Sequence, residues 1–195
     1  MSYYRIISHM STSLFHSVQQ KKAPNLLTLI VEISEGDSNK YEYNHTLGVL
    51  ELDRVLYGPL FYPVNYCDVP GTWNEGDNDP LDALLFSSKP IAPGVLAQGK
   101  VIGAMEMIDN EEVDHKIICV NAKDPRFEHV NSVDDLTPYQ RKDIVTFFEL
   151  YKIPQTGKDT VKVGKFMNKE EAASFINECI NVYEQKFAAE ITPNN

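Results

Sequence analysis

The sequence predicts an α+β fold that is mainly β: a small closed or nearly closed sheet with helices at the C-terminal end. Two observations predict the sheet. Strand-type runs fill the first two thirds of the 195 residues, and one pair of them alternates across a short turn. A third observation predicts the helices, since signals for helix starts appear only from Thr137 onward.

Leu26 to Ile33, rich in Leu, Ile and Val, reads as the first strand. Lys40-Tyr41-Glu42-Tyr43 and Val49-Leu50-Glu51-Leu52-Asp53 alternate around a loop containing Gly48, which predicts a hairpin with Lys40 and Glu42 on one face. Residues 68–78 form a Gly/Pro/polar cluster and read as a substantial loop. Leu84-Leu85-Phe86 reads as a buried strand or its start. Val95 to Ile108 and Lys116 to Val120 are further strands, separated by the acidic turn Asp109-Asn110-Glu111-Glu112-Val113-Asp114.

Thr137-Pro138-Tyr139-Gln140 combines an N-cap Thr, Pro at N1 and Gln at N3, predicting a helix that runs to about Lys152 and is stopped by Pro154. Asn168 and Glu171 open a second helix. Its apolar stripe of Ala172, Phe175, Ile176, Cys179, Ile180, Tyr183 and Phe187 suits core or interface.

The length suits one domain, read as residues 25–195 behind an N-terminal extension of residues 1–24. That extension lacks acidic residues and carries Arg5, Lys21 and Lys22. Organelle targeting is one reading of it; packing on the domain is preferred. A net charge of -10 argues against nucleic acid or an anionic membrane as partner. Three widely spaced cysteines without a CxxC indicate neither a disulfide framework nor a zinc site, and a reducing, cytoplasmic setting is expected.

Asp77-Asn78-Asp79-Pro80-Leu81-Asp82 packs three carboxylates into six residues. Clustered carboxylates repel and raise one another's pKa unless a cation lies among them, and hard oxygen ligands suit Mg²⁺, Mn²⁺ or Ca²⁺. An EF-hand would need Gly and Glu where Asp82 and Ser88 stand. An aspartyl nucleophile would follow an apolar strand rather than precede one. Alone, the motif is equally a solvated acidic turn. Lys40, Arg54, Tyr62, Tyr66, Asp109, Asp114, Lys116, Tyr151 and Lys152 add the cations, hydroxyls and second acidic pair that a phosphate-and-metal site needs.

Together these residues resemble the family I soluble inorganic pyrophosphatases, whose D-x-D-P-x-D signature is Asp77 to Asp82 here. Glu32 in Ile-Val-Glu-Ile, Lys-Tyr-Glu at Lys40 and Glu42, Leu-Asp-Arg at Arg54, and Phe-Tyr-Pro-Val-Asn-Tyr at Tyr62 and Tyr66 follow the same pattern. The resemblance implies an OB-like five-stranded barrel with additional strands and two C-terminal helices. It also implies Mg²⁺-dependent hydrolysis of pyrophosphate to two orthophosphates, by water bridging two metals. Asp77, Asp82, Asp109, Asp114, Glu32 and Glu42 would hold metal, with Asp82 shared between two ions. Asp79 would be the general base. Lys40, Arg54, Tyr66, Lys116, Tyr151 and Lys152 would bind the phosphoryl groups, with Tyr62 behind them.

Several Mg²⁺ ions per site are implied, with Mn²⁺ or Zn²⁺ as substitutes, and a homo-oligomer, the hexamer favoured over the dimer by chain length. A catalytically inactive metal-binding relative and a hydrolase of another phosphoanhydride are the competing readings. Two departures from the family pattern stand out. Cys67 and Asn78 occupy positions where Gly is common, so either would be strained if its backbone needs positive φ, Asn less than Cys.

Overall fold

The computed structural model describes residues 13–191. Five strands close a mixed barrel. They are β1 (Leu26–Ile33), β4 (Asn65–Asn74), β5 (Asp79–Phe86), β6 (Leu96–Asp109) and β8 (Lys116–Asn121), and β1 closes on β6 with Leu26 opposite Lys100. Only β5 and β8 run parallel. Two further strands, β7 (Glu112–Val113) and β9 (Val161–Met167), lie along β6. The alternating segments form a separate two-stranded sheet, β2 (Asn39–Asn44) with β3 (Val49–Val55).

Alternation sorts the barrel side chains between two cores. Leu84, Phe86, Ile118 and Val120 pack with Phe147 and Phe148 of helix α2 (Pro138–Leu150). Ala83, Leu85, Ile117 and Cys119 pack with Ala172, Ile176 and Cys179 of helix α4 (Lys169–Lys186). Both helices begin at the expected capping boxes, Thr137 with Gln140 and Asn168 with Glu171. The three cysteines are buried and unpaired.

Three elements depart from the sequence expectation. Residues 68–74 are strand rather than loop, because Pro70 and Gly71 are absorbed in an irregularity between Val69 and Asn74. There Gly71 takes φ +74°, and the Thr72 hydroxyl accepts the Leu81 N–H. Pro154 stands inside a further short helix, α3 (Ile153–Thr156), where a first-turn proline is tolerated and Gly157 at φ +66° ends the turn. β9 was not expected, since its exposed, Gly-interrupted sequence carries a weak strand signal. A four-residue helix, α1 (Leu14–Ser17), buries Phe15 among Tyr183, Phe187, Trp73 and His45. Residues 1–12 of the extension lie outside the described residues.

Candidate active site

Register builds the floor of the site. Asp68 on β4 stands opposite Asp82 on β5, and Asp82 opposite Lys116 on β8, so two acids and an amine lie abreast where the sheet leaves its apolar core. Lys116 is 2% exposed and donates to Asp82 Oδ2 at 2.5 Å and to Asp114 Oδ1. Burial alone would lower the Lys116 pKa, but the two carboxylates hold it above its ordinary value. Tyr66, two residues before Asp68, hydrogen-bonds Asp82, and burial pushes its hydroxyl pKa well up.

The acidic turn forms the mouth. Asn78 has φ 59°, a conformation Asn tolerates, and the Asp79 N–H donates to Asp77 Oδ1 at 3.2 Å. Cys67 needs no such conformation; it is a buried strand thiol.

The β2–β3 hairpin forms the opposite wall. Lys40 and Arg54 face each other across it, an arrangement that repels unless an anion intervenes. Asp53 intervenes. It accepts from Lys40 at 3.1 Å and pairs with Arg54, while Glu42 pairs with Lys40. Glu32 is 7% exposed on β1 and accepts the Tyr43 N–H at 2.6 Å, which ties the hairpin to the barrel.

A cavity of about 400 Å³ opens between these walls, lined by Glu32, Lys40, Glu42, His45, Tyr66, Asp68, Asp79 and Asp82 among others. Seven expected site residues lie outside that lining. Lys116 links the cavity to Asp114, and the neighbouring rim carries the Asp109–Lys152 ion pair with Tyr151. Arg54 stands behind Lys40 through Asp53, and Asp77 sits at the start of the turn. Tyr62 is buried edge-on against Tyr66.

Sequence reasoning missed three residues. Asp68 was hidden in the presumed loop, Asp53 by its neighbour Arg54, and His45 by its place in a hairpin turn. The alternation of Asp53 with Glu51 was a usable signal for the second; nothing in the sequence marked the other two.

The acids share one electrostatic problem. Burial, then Asp82, lifts Glu32 to about 8. Desolvation, then Asp114 and Asp82, lifts Asp77 to about 7. Desolvation, then Asp82 and Glu42, lifts Asp79 to about 7 although its side chain is 70% exposed. Burial raises Asp82 too, with Lys116 opposing. Hard oxygen donors crowded until they resist ionisation fit a divalent cation, which relieves that repulsion. Among the described residues, no group of three such side chains is already gathered to hold a metal ion, and the Lys116 ammonium pairs with both Asp82 and Asp114.

These shifts set a pH dependence. A cation must displace the protons that raised pKa values retain, so affinity for a divalent cation should strengthen as pH rises from about 5.5 to about 8 and level off above it. Calorimetric titration in two buffers of different ionisation enthalpy should show net proton release at pH 6.5 and far less at pH 9. Equal release at both would show that these carboxyls are not the ligands.

Among the described residues, no helix is long and apolar enough to cross a membrane. The family model for inorganic pyrophosphatase matches residues 29–184. The inorganic pyrophosphatase of Halalkalibacterium halodurans is 43% identical over 161 residues, covering 83% of this chain and 97% of the relative. The crystal structure of inorganic pyrophosphatase from Thermus thermophilus superposes with TM-score 0.81 at 37% identity, over 89% of this chain and 98% of that one. That from Helicobacter pylori gives 0.81 at 34% identity, over 86% and 98%. The barrel, the acidic cavity and this similarity along nearly the whole length of its relatives lead to one conclusion: the chain belongs to the inorganic pyrophosphatases, hydrolases that act on pyrophosphate.

Proposed function

We propose that the protein hydrolyses pyrophosphate in this cavity with Mg²⁺ as cofactor and Asp79 as general base. The observation that carries the reading is the opposition of charges. Glu32, Asp79 and Asp82 line one cavity with Lys40, which Asp53 links to Arg54, and Asp77 lies within electrostatic reach of Asp82.

Asp77, Asp82, Asp109 and Asp114 would hold the metals, with Glu32 and Glu42 shaping the acidic wall. Divalent cations held there would acidify bound water and offset phosphoryl charge. Mn²⁺ or Zn²⁺ could replace Mg²⁺ in that role. Asp79, open to the cavity, accepts a proton from the attacking water as its oxygen bonds to phosphorus and the bridging P–O bond breaks. Lys40, Arg54, Lys116 and Lys152 receive the phosphoryl oxygens, and the Tyr66 and Tyr151 hydroxyls orient them.

Phosphate release from pyrophosphate, ATP and tripolyphosphate, each with Mg²⁺, tests the reading. Release from pyrophosphate far above the other two is expected. Equal release from ATP would favour a general phosphoanhydride hydrolase, and none from any would leave a metal-binding relative.

Asp82 is expected to serve two ions and Glu42 at most one, partly through water. Asp82→Ala should therefore raise the Mg²⁺ concentration for half-maximal activity more than Glu42→Ala does. Parallel Mg²⁺ titrations check the order, and equal shifts would remove the shared-ligand role.

A further inference from the structure

Asp68 lies deeper than Glu32, at 4% exposure, and neither of its oxygens has a hydrogen-bond partner. Burying a carboxylate without a compensating group is costly, so a buried acid usually has a cation or donor beside it. The group beside Asp68 is His45. Its Nδ1 stands 3.5 Å from Asp68 Oδ2, and it too is buried without a hydrogen-bond partner. Both residues belong to the lining of the cavity that Glu32, Asp79 and Asp82 share.

We propose that Asp68 Oδ2 and His45 Nδ1 form a mixed oxygen–nitrogen position for a divalent ion of the Zn²⁺ or Co²⁺ type, beside the Mg²⁺ positions and resting on the reading of this cavity as the active site.

The separation supports it. At 3.5 Å the pair is too far apart for a good hydrogen bond. Two ligands of one tetrahedral ion, each about 2.0–2.1 Å from it, stand about 3.3–3.4 Å apart. A nitrogen donor also favours later transition metals, whereas Mg²⁺ prefers oxygen and octahedral geometry. Two protein ligands leave the remaining positions to water or a phosphate oxygen, which the open cavity admits.

The imidazole is held from outside the family-matched region. The Phe15 ring, on α1, lies 4.4 Å from that of His45, and Tyr43 flanks it at 5.5 Å. The N-terminal extension thereby fixes the histidine that faces Asp68.

Full-length protein in saturating Mg²⁺ is titrated with Co²⁺, followed by equilibrium dialysis and visible absorption. The wild type should retain one Co²⁺ per chain against excess Mg²⁺, with the intense absorption of a four-coordinate ion. His45→Gln and Asp68→Asn should each weaken that retention by more than about 100-fold, since even losing a group that merely orients a ligand costs 10- to 100-fold. Asp82→Ala should keep it. Wild-type retention in His45→Gln overturns the proposal, as does wild-type retention in a folded Asp68→Asn or loss confined to Asp82→Ala. His45 is a partly exposed turn residue, so its variant decides the matter even if Asp68→Asn fails to fold. Mg²⁺-dependent phosphate release by the wild type is measured on the same samples. Its absence would sink the proposed function, while the Co²⁺ count still decides this position.

Discussion

Asp79→Asn should lower turnover by a factor of about 10² to 10⁴, or about 2.7–5.4 kcal/mol of transition-state stabilisation. The substitution keeps the side chain's shape and removes only its ability to take a proton. Asp79 suits that task by position, because it stands at the cavity mouth with its side chain open to solvent. Its basicity in the metal-free cavity points the same way: desolvation, Asp82 and Glu42 lift its pKa to about 7. The sign of the pH effect follows. A base works only when deprotonated, so the wild-type rate should fall as pH drops through its pKa, which bound cations shift downward. In Asp79→Asn that acidic limb should flatten while Mg²⁺ affinity changes little. Near-normal turnover, or an unchanged acidic limb, would take the base role from Asp79.

Much of this was legible in the sequence because local chemistry decided it. The hairpin followed from alternation around Gly48, both long helices from their capping boxes, and the tolerance of Asn78 for positive φ from its amide side chain. What stayed hidden depends on register between distant segments. Asp68 became a site residue only because β4 pairs with β5 so that it faces Asp82, and Pro70 and Gly71 disguised that strand as a loop. Asp53 looked like one more exposed acid until Lys40 and Arg54 proved to be cross-strand neighbours. Phe15 gave no signal, since a lone aromatic in a polar segment finds its partners only through tertiary packing.

Lys116→Met should cost the metal-free protein about 3–5 kcal/mol, the scale for removing one partner from a buried ion pair. For a chain of this size that corresponds to a melting temperature lower by about 6–20 °C. The methionine fills similar volume, so the loss isolates charge from packing. With the ammonium gone, Asp82 and Asp114 face each other without a cation, and Asp82 already resists ionisation with Lys116 present. The penalty exists only while these carboxyls are ionised in the unfolded chain. It should be largest at pH 7.5 and shrink as pH falls toward the range where carboxylates of the unfolded chain take up protons. Mg²⁺ offers a second test, because a divalent ion between the same two acids replaces the missing charge. Saturating Mg²⁺ should therefore stabilise Lys116→Met more than the wild type, and urea unfolding in chelator and in Mg²⁺ at pH 7.5 and 5 measures all four corners. A variant as stable as the wild type in chelator would show that the ammonium does not balance this acidic row. A penalty that Mg²⁺ leaves unchanged would place the metal away from Asp82 and Asp114.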